Sequence, residues 1–98
     1  MIRVYAVNFR DTWDIRIDRK TKYGNPFYMA DESQRDVVCD RYEEYIATRP
    51  DLINELVREV LAVPCHKDNR EVRLGCWCAP KRCHGDTLAR LVMERINK

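Results

Sequence analysis

The alternation of apolar and polar positions divides this chain into six elements separated by turn-forming residues. Residues 2–7 alternate as a half-buried strand does, and Asn8 ends the run. Ile15 and Ile17 flank Arg16 in a second, shorter strand. The stretch Lys22-Tyr23-Gly24-Asn25-Pro26-Phe27 is turn chemistry between aromatic residues. Pro26 lacks a backbone donor and biases Asn25 toward extended backbone, so a shaped loop is expected here. Asp31 and Gln34, three residues apart, have the form of a capping box. Beyond them Val38, Tyr42, Tyr45 and Ile46 make the stripe of a helix ending near Thr48. Pro50 suits the first turn of the next helix, whose face is Ile53, Leu56, Val57, Val60 and Leu61, and Pro64 stops it. Cys65 to Arg70 reads as a polar loop. Glu71 to Cys78 reads as a buried or half-buried strand closed by Pro80. Gly85 to Ile96 carries Leu88, Leu91, Val92 and Ile96 on the stripe of a closing helix.

The order β-β-α-α-β-α predicts an α/β fold. The expectation is a small, mostly parallel sheet covered by about three helices, in two layers or a Rossmann-like three. With 98 residues there is room for one core, so residues 1–98 are expected to be a single domain. A 45% hydrophobic and 35% charged composition is that of a globular chain, and three Gly and four Pro argue against a long linker. Net charge is 18 − 16 = +2, too small to announce a nucleic-acid binder by electrostatics alone. No apolar stretch approaches the roughly 20 residues of a spanning helix, and the first residues read as a strand rather than a signal peptide. Five cysteines, an odd number, fit free thiols in a reducing compartment. A cytoplasmic protein without a membrane partner is expected.

The residues that bear chemistry gather between Gly75 and Asp86, where a strand runs through a tight loop into a helix. In open α/β sheets, ligands bind at such loops beyond the carboxyl ends of strands. A helix start also presents unpaired N–H groups to anions, and Lys81 and Arg82 add full charge beside it. Gly85 belongs to that anion seat. Cys76 and Cys78, two apart on the presumed strand, should share a face. Cys83, near the helix start and two cations, should favour the thiolate, and His84 in the first turn should stay neutral. Cys83 and His84 are therefore the candidate catalytic pair, although neighbouring side chains point apart and a dipeptide alone is no dyad. Three thiols and His84 also have the ligand types of a zinc site. The spacing C-x-C-x₄-C-H, however, lacks two separated pairs, so no metal is assigned and no cofactor follows. The plain alternative is that Cys76 and Cys78 are small buried residues. Cys65-His66 repeats the Cys-His dipeptide.

Several polar residues elsewhere are candidates for the same ligand. Asn8 and Arg19 stand where the sheet ends, although a turn Asn and a surface Arg would read alike. Arg35, in the first turn of a helix, is mildly unfavourable there unless an anion offsets it. Asp86 complements the helix dipole in the plain reading. Gly24, Asn25 and Cys78 complete the set.

Taken together, these residues resemble domain-of-unknown-function family 4326, a small domain of bacteria and bacteriophages. The resemblance spans nearly the whole chain. It rests on Val7-Asn8, Ile17-Asp18-Arg19, Gly24-Asn25-Pro26-Phe27 and Arg35. Its strongest part is Leu74-Gly75-Cys76-Trp77-Cys78-Ala79-Pro80 with Cys83-His84-Gly85-Asp86. Cys65-His66 lies outside that pattern. The resemblance implies one site joining Asn8, Arg19, the Gly-Asn-Pro loop and the Cys-His-Gly loop. It also implies a phage or mobile-element setting, hence the cytoplasm of a host, and it carries no reaction. Two readings follow. In the first, the domain binds a nucleotide or nucleic-acid phosphate, with Trp77 or Tyr23 stacking on a base, and an enzyme acting on a nucleotide or modified base is one version of it. In the second it is a non-enzymatic interaction module, a phage protein aimed at a host protein, with its Cys-rich loop packed or zinc-stapled. An exposed apolar patch along the Leu52 face would favour the second.

Overall fold

A computed structural model describes every residue except 1, 28, 64–69, 80 and 98. Three strands, β1 (Ile2–Asn8), β2 (Ile15–Arg16) and β3 (Arg70–Cys76), form a sheet in the order β1-β3-β2 with both pairings parallel. Three helices follow the expected order: α1 (Arg35–Ala47), α2 (Pro50–Ala62) and α3 (His84–Ile96). A short 3-10 turn, Glu32–Gln34, precedes α1. The fold is thus a small α/β one. Pro64, expected to stop a helix, Cys65 and His66, which repeat the Cys-His dipeptide, and Pro80, expected to close a strand, lie outside the described residues.

Side-chain alternation explains the layering. Val4 on β1 and Val72, Leu74 and Cys76 on β3 point inward and are buried. Against them lies α3, with Leu88, Ala89 and Val92 buried, and it packs on both β1 and β3. Helices α1 and α2 pack in turn against α3. They contribute Val38, Cys39, Tyr42 and Ile46 from α1 and Ile53, Leu56 and Val60 from α2. Tyr42 is wholly buried, and its hydroxyl donates to the Tyr23 carbonyl at 2.7 Å. That bond ties α1 to the loop after β2 and satisfies a polar atom inside the core.

Three sequence expectations shift by a residue or a face. Strand β3 stops at Cys76, because Trp77 and Cys78 already bend away, so Cys76 and Cys78 do not share a strand face. Helix α2 turns Leu61 outward at 48% exposure, and its buried stripe ends with Val60. The box at Asp31 caps the 3-10 turn instead of α1. Its carboxylate accepts from Ser33 N–H, while Gln34 reaches back to Ala30 N–H rather than to Asp31. Leu52, along whose face an exposed apolar patch would favour the interaction-module reading, is half-buried and packed on the core.

Candidate functional site

Because all three strands are parallel, their carboxyl ends lie at one edge. Asn8 is in register with Cys76, and Arg16 with Gly75. The loops leaving that edge, together with the start of α1, enclose a cavity of about 240 Å³. Arg19, Asn25, Arg35, Cys78, Cys83 and His84, all singled out from the sequence, line it together. Asn8, Gly24, Gly85 and Asp86 lie outside the lining, and each has a supporting job.

Asn8 sits at the end of β1. Its amide nitrogen donates to the carbonyls of Trp77 and Ala79, both at 3.0 Å, and its oxygen accepts from Arg10 N–H. It therefore holds the loop leaving β3. Gly24 closes the turn after β2: a Cβ there would come within 2.5 Å of the Arg19 Cα, so only glycine lets the returning chain pass. Gly85 is buried at the start of α3, where a Cβ would meet the Ala6 Cβ at 2.9 Å. Its role is close packing of helix on strand. Asp86 accepts from Cys83 N–H at 3.2 Å, a capping contact at the helix start.

The loop on the opposite wall is built by Arg19 and Asn25. Arg19 donates to the carbonyls of Asn25 at 3.0 Å and Phe27 at 2.8 Å. Buried Asn25 accepts from Phe27 N–H at 2.9 Å, an Asx turn within the shaped loop expected around Pro26. Arg16 grips the buried Asp18 carboxylate with two bonds of 2.8 Å, which holds that carboxyl below its ordinary pKa.

The cationic residues divide into two groups. Arg35 pairs with Glu32 through two bonds, at 2.7 and 2.8 Å, and donates to the Arg82 carbonyl at 2.9 Å. Glu32 falls to a pKa of about 2, chiefly through its bond with Arg35. Arg82 pairs with Asp36 and Asp40, and Lys81 with Glu32. The expectation that these charges gather uncompensated is corrected: acids of the 3-10 turn and α1 offset them. Arg19 and Lys20, in contrast, take part in no ion pair among the described residues, and both line the cavity.

The thiol chemistry is also redistributed. Cys76 and Cys83 are buried with their sulfurs 3.3 Å apart. The sequence placed the thiolate on Cys83, but the neighbouring Cys76 sulfur and then burial push the Cys83 thiol up. Cys76 goes down, first through its contact with the Cys83 thiol and then because the N–H groups of Ala79 and Cys78 point at its sulfur. Cys78 lies against the Arg35 guanidinium across the cavity wall. His84 is buried, so its pKa is lowered and its ring is neutral, as expected. Its Nε2 lies on the Ile17 carbonyl oxygen, which requires the tautomer protonated at Nε2. Among the described residues, no group of three or more His, Cys, Asp and Glu side chains is arranged to hold a metal ion.

Trp77 stands at the rim, 66% exposed, with its ring edge-on to Phe9 at 4.7 Å. Tyr23, the other stacking candidate, is buried and its hydroxyl is bonded to Glu59, so it is withdrawn from that role. Lys20, Met29, Val38 and Cys39 also line the cavity and were missed. Arg35, Val38, Cys39 and Tyr42 recur at helical spacing, so a search for what shares Arg35's face would have found two of them.

The model of the family described as domain of unknown function DUF4326 matches residues 6–94. The chain belongs to that family. An "uncharacterized 12.4 kDa protein in nrdA-td intergenic region" of Enterobacteria phage T4 is 29% identical over 84 residues, covering 86% of this chain and 71% of the phage protein. The family thus extends to a bacteriophage protein. No solved structure matches. No helix among the described residues is long and apolar enough to cross a membrane.

Proposed function

We propose that this DUF4326 chain binds a small phosphate-bearing ligand, of the size of a mononucleotide, in the cavity at the carboxyl edge of its sheet. The observation that carries this reading is the position of Arg19 and Lys20. Two cations without acid partners among the described residues face a cavity whose other cations are already offset. An anion would balance them, and the carboxyl edge of a parallel sheet is where α/β folds take ligands. Size sets the guest. At about 240 Å³ the cavity falls just under the roughly 300 Å³ at which sites for drug-sized molecules begin. A mononucleotide or part of one fits that scale, and an oligonucleotide would have to lie mostly outside. Exposed Trp77 offers a stacking face for a base at the rim.

Within this reading the anion approaches Arg19 and Lys20 rather than the N–H groups at the start of α3. Asp86 and the Cys83 sulfur already engage that helix end. Neutral His84 and the Cys83-Cys76 pair lie in the wall, and binding does not require them to act on the ligand. Calorimetric titration with inorganic phosphate, mononucleotides and short oligonucleotides tests the proposal. Losing one charge-assisted hydrogen bond costs about 1.5–3 kcal/mol, so Arg19→Ala should weaken mononucleotide binding roughly tenfold to a hundredfold. Lys20→Ala, which disturbs no bonded loop, should weaken it toward the lower end of that range. A protein that ignores all three ligand classes leaves the interaction-module reading ahead.

A further inference from the structure

Four cysteines line the cavity, and one pair of sulfurs among the described residues is in contact. We propose that Cys76 and Cys83 are a redox-active dithiol, which hydrogen peroxide converts to a disulfide joining the end of β3 to the start of α3. The proposal is independent of the ligand reading. Closing 3.3 Å to a bond of about 2.05 Å needs little more than 1 Å of movement. The loop to be closed is only seven residues in sequence.

The two sulfurs are unequal in a way that orders the steps. The Cys76 sulfur receives the N–H groups of Cys78 and Ala79 and the Cys83 sulfur those at the start of α3, and with the two sulfurs in contact the Cys76 thiol is lowered and the Cys83 thiol raised, so the negative charge is assigned to Cys76 and the shared proton to Cys83. Cys76 is then the nucleophile. Its thiolate attacks one oxygen of the peroxide; an S–O bond forms, the O–O bond breaks, and hydroxide leaves. That hydroxide takes the Cys83 proton and becomes water. The Cys83 thiolate attacks the Cys76 sulfur; the S–S bond forms, the S–O bond breaks, and a second hydroxide is released. Two electrons pass from the sulfurs to the peroxide, and no other reactant is consumed.

Both residues are buried but line the cavity, which is large enough to admit peroxide. The other two cavity thiols are engaged elsewhere. Burial pushes the Cys39 thiol up, and it points at the Arg82 carbonyl at 3.8 Å, while Cys78 lies on Arg35.

The test uses the reduced full chain in thiol-free buffer, treated with a modest molar excess of hydrogen peroxide. It is then alkylated under denaturing conditions and mapped by mass spectrometry. The expected product is two hydrogens lighter, carries tryptic peptides 74–81 and 83–90 joined, and has Cys39 and Cys78 alkylated. Fragmentation of the joined peptides should place the bridge on Cys76 rather than Cys78. Dithiothreitol should restore both thiols. In Cys83→Ser the reaction should stop at a sulfenic acid on Cys76 that dimedone traps. If that variant does not fold, the wild-type map still decides. A bridge through Cys39, Cys65 or Cys78, or a Cys76 that remains fully alkylatable after peroxide, overturns the proposal.

Discussion

Gly85→Ala isolates the packing that sets α3 on the sheet. The added Cβ would lie 2.9 Å from the Ala6 Cβ and 2.8 Å from the Ile17 Cδ1. Ile17 can rotate its terminal methyl away, but the Ala6 Cβ is fixed to the middle of β1, so helix and strand must separate. Overpacking of this kind costs about 1–3 kcal/mol. Replacing glycine by alanine in a helix returns up to about 1 kcal/mol, and less in the first turn. The net expectation is a loss near 1 kcal/mol, which for a domain of this length is a fall in Tm of roughly 4–8 °C. Thermal unfolding followed by circular dichroism measures it. A double-mutant cycle with Ala6→Gly makes the argument specific, because removing the Ala6 Cβ clears the collision. The double variant should then be more stable than the sum of the two single changes predicts. Strict additivity, or a Gly85→Ala protein as stable as the wild type, would refute the contact as the reason for glycine here.

Two further outcomes follow from other parts of the site. His84 has a pKa below its ordinary 6.5, so below that value the unfolded chain binds a proton the folded one refuses. Stability should fall as pH drops from about 7 toward 5, with a slope of at most about 1.4 kcal/mol per pH unit from this group. His84→Gln should flatten the Tm-against-pH profile over that window, and an unchanged profile would remove the assignment. Asn8→Ala should cost about 1–3 kcal/mol through loss of its two bonds to the Trp77 and Ala79 carbonyls. Urea denaturation should show that loss, and a change within error of zero would mean that the loop is held by other contacts.

The elements were legible because each carries a period or a punctuator. Alternation marks β1, Pro50 opens α2, and the Leu88-Leu91-Val92 stripe marks α3. Two residues of β2 were enough for the Ile15-Arg16-Ile17 pattern to betray it. The edge of the sheet was legible too, since Arg19, Arg35 and the Cys-His segment do meet at one cavity. Charge balance was not. Pairing of Arg82 with Asp36 and Asp40 depends on α1 lying beside the loop before α3, more than forty residues away in sequence, whereas Arg35 and Glu32 are i,i+3 neighbours whose pairing was there to be read. Thiol acidity was hidden for the same reason: helix start and basic neighbours pointed to Cys83, but burial beside Cys76 reverses the order. Gly85 looked like a clearing for a ligand, and Ala6 and Ile17 fill it.

The central claim, that the carboxyl-edge cavity takes a phosphate-bearing small molecule, is tested most directly by NMR titration of the labelled protein with a mononucleotide. Amide and side-chain signals report where the ligand sits as well as whether it binds. The account predicts saturable shifts at Arg19, Lys20, Cys78 and the Trp77 indole, all on the cavity. Arg3 and Glu71, at the amino ends of β1 and β3, should stay unmoved. Shifts confined to α2, or no shift at millimolar mononucleotide, would contradict it.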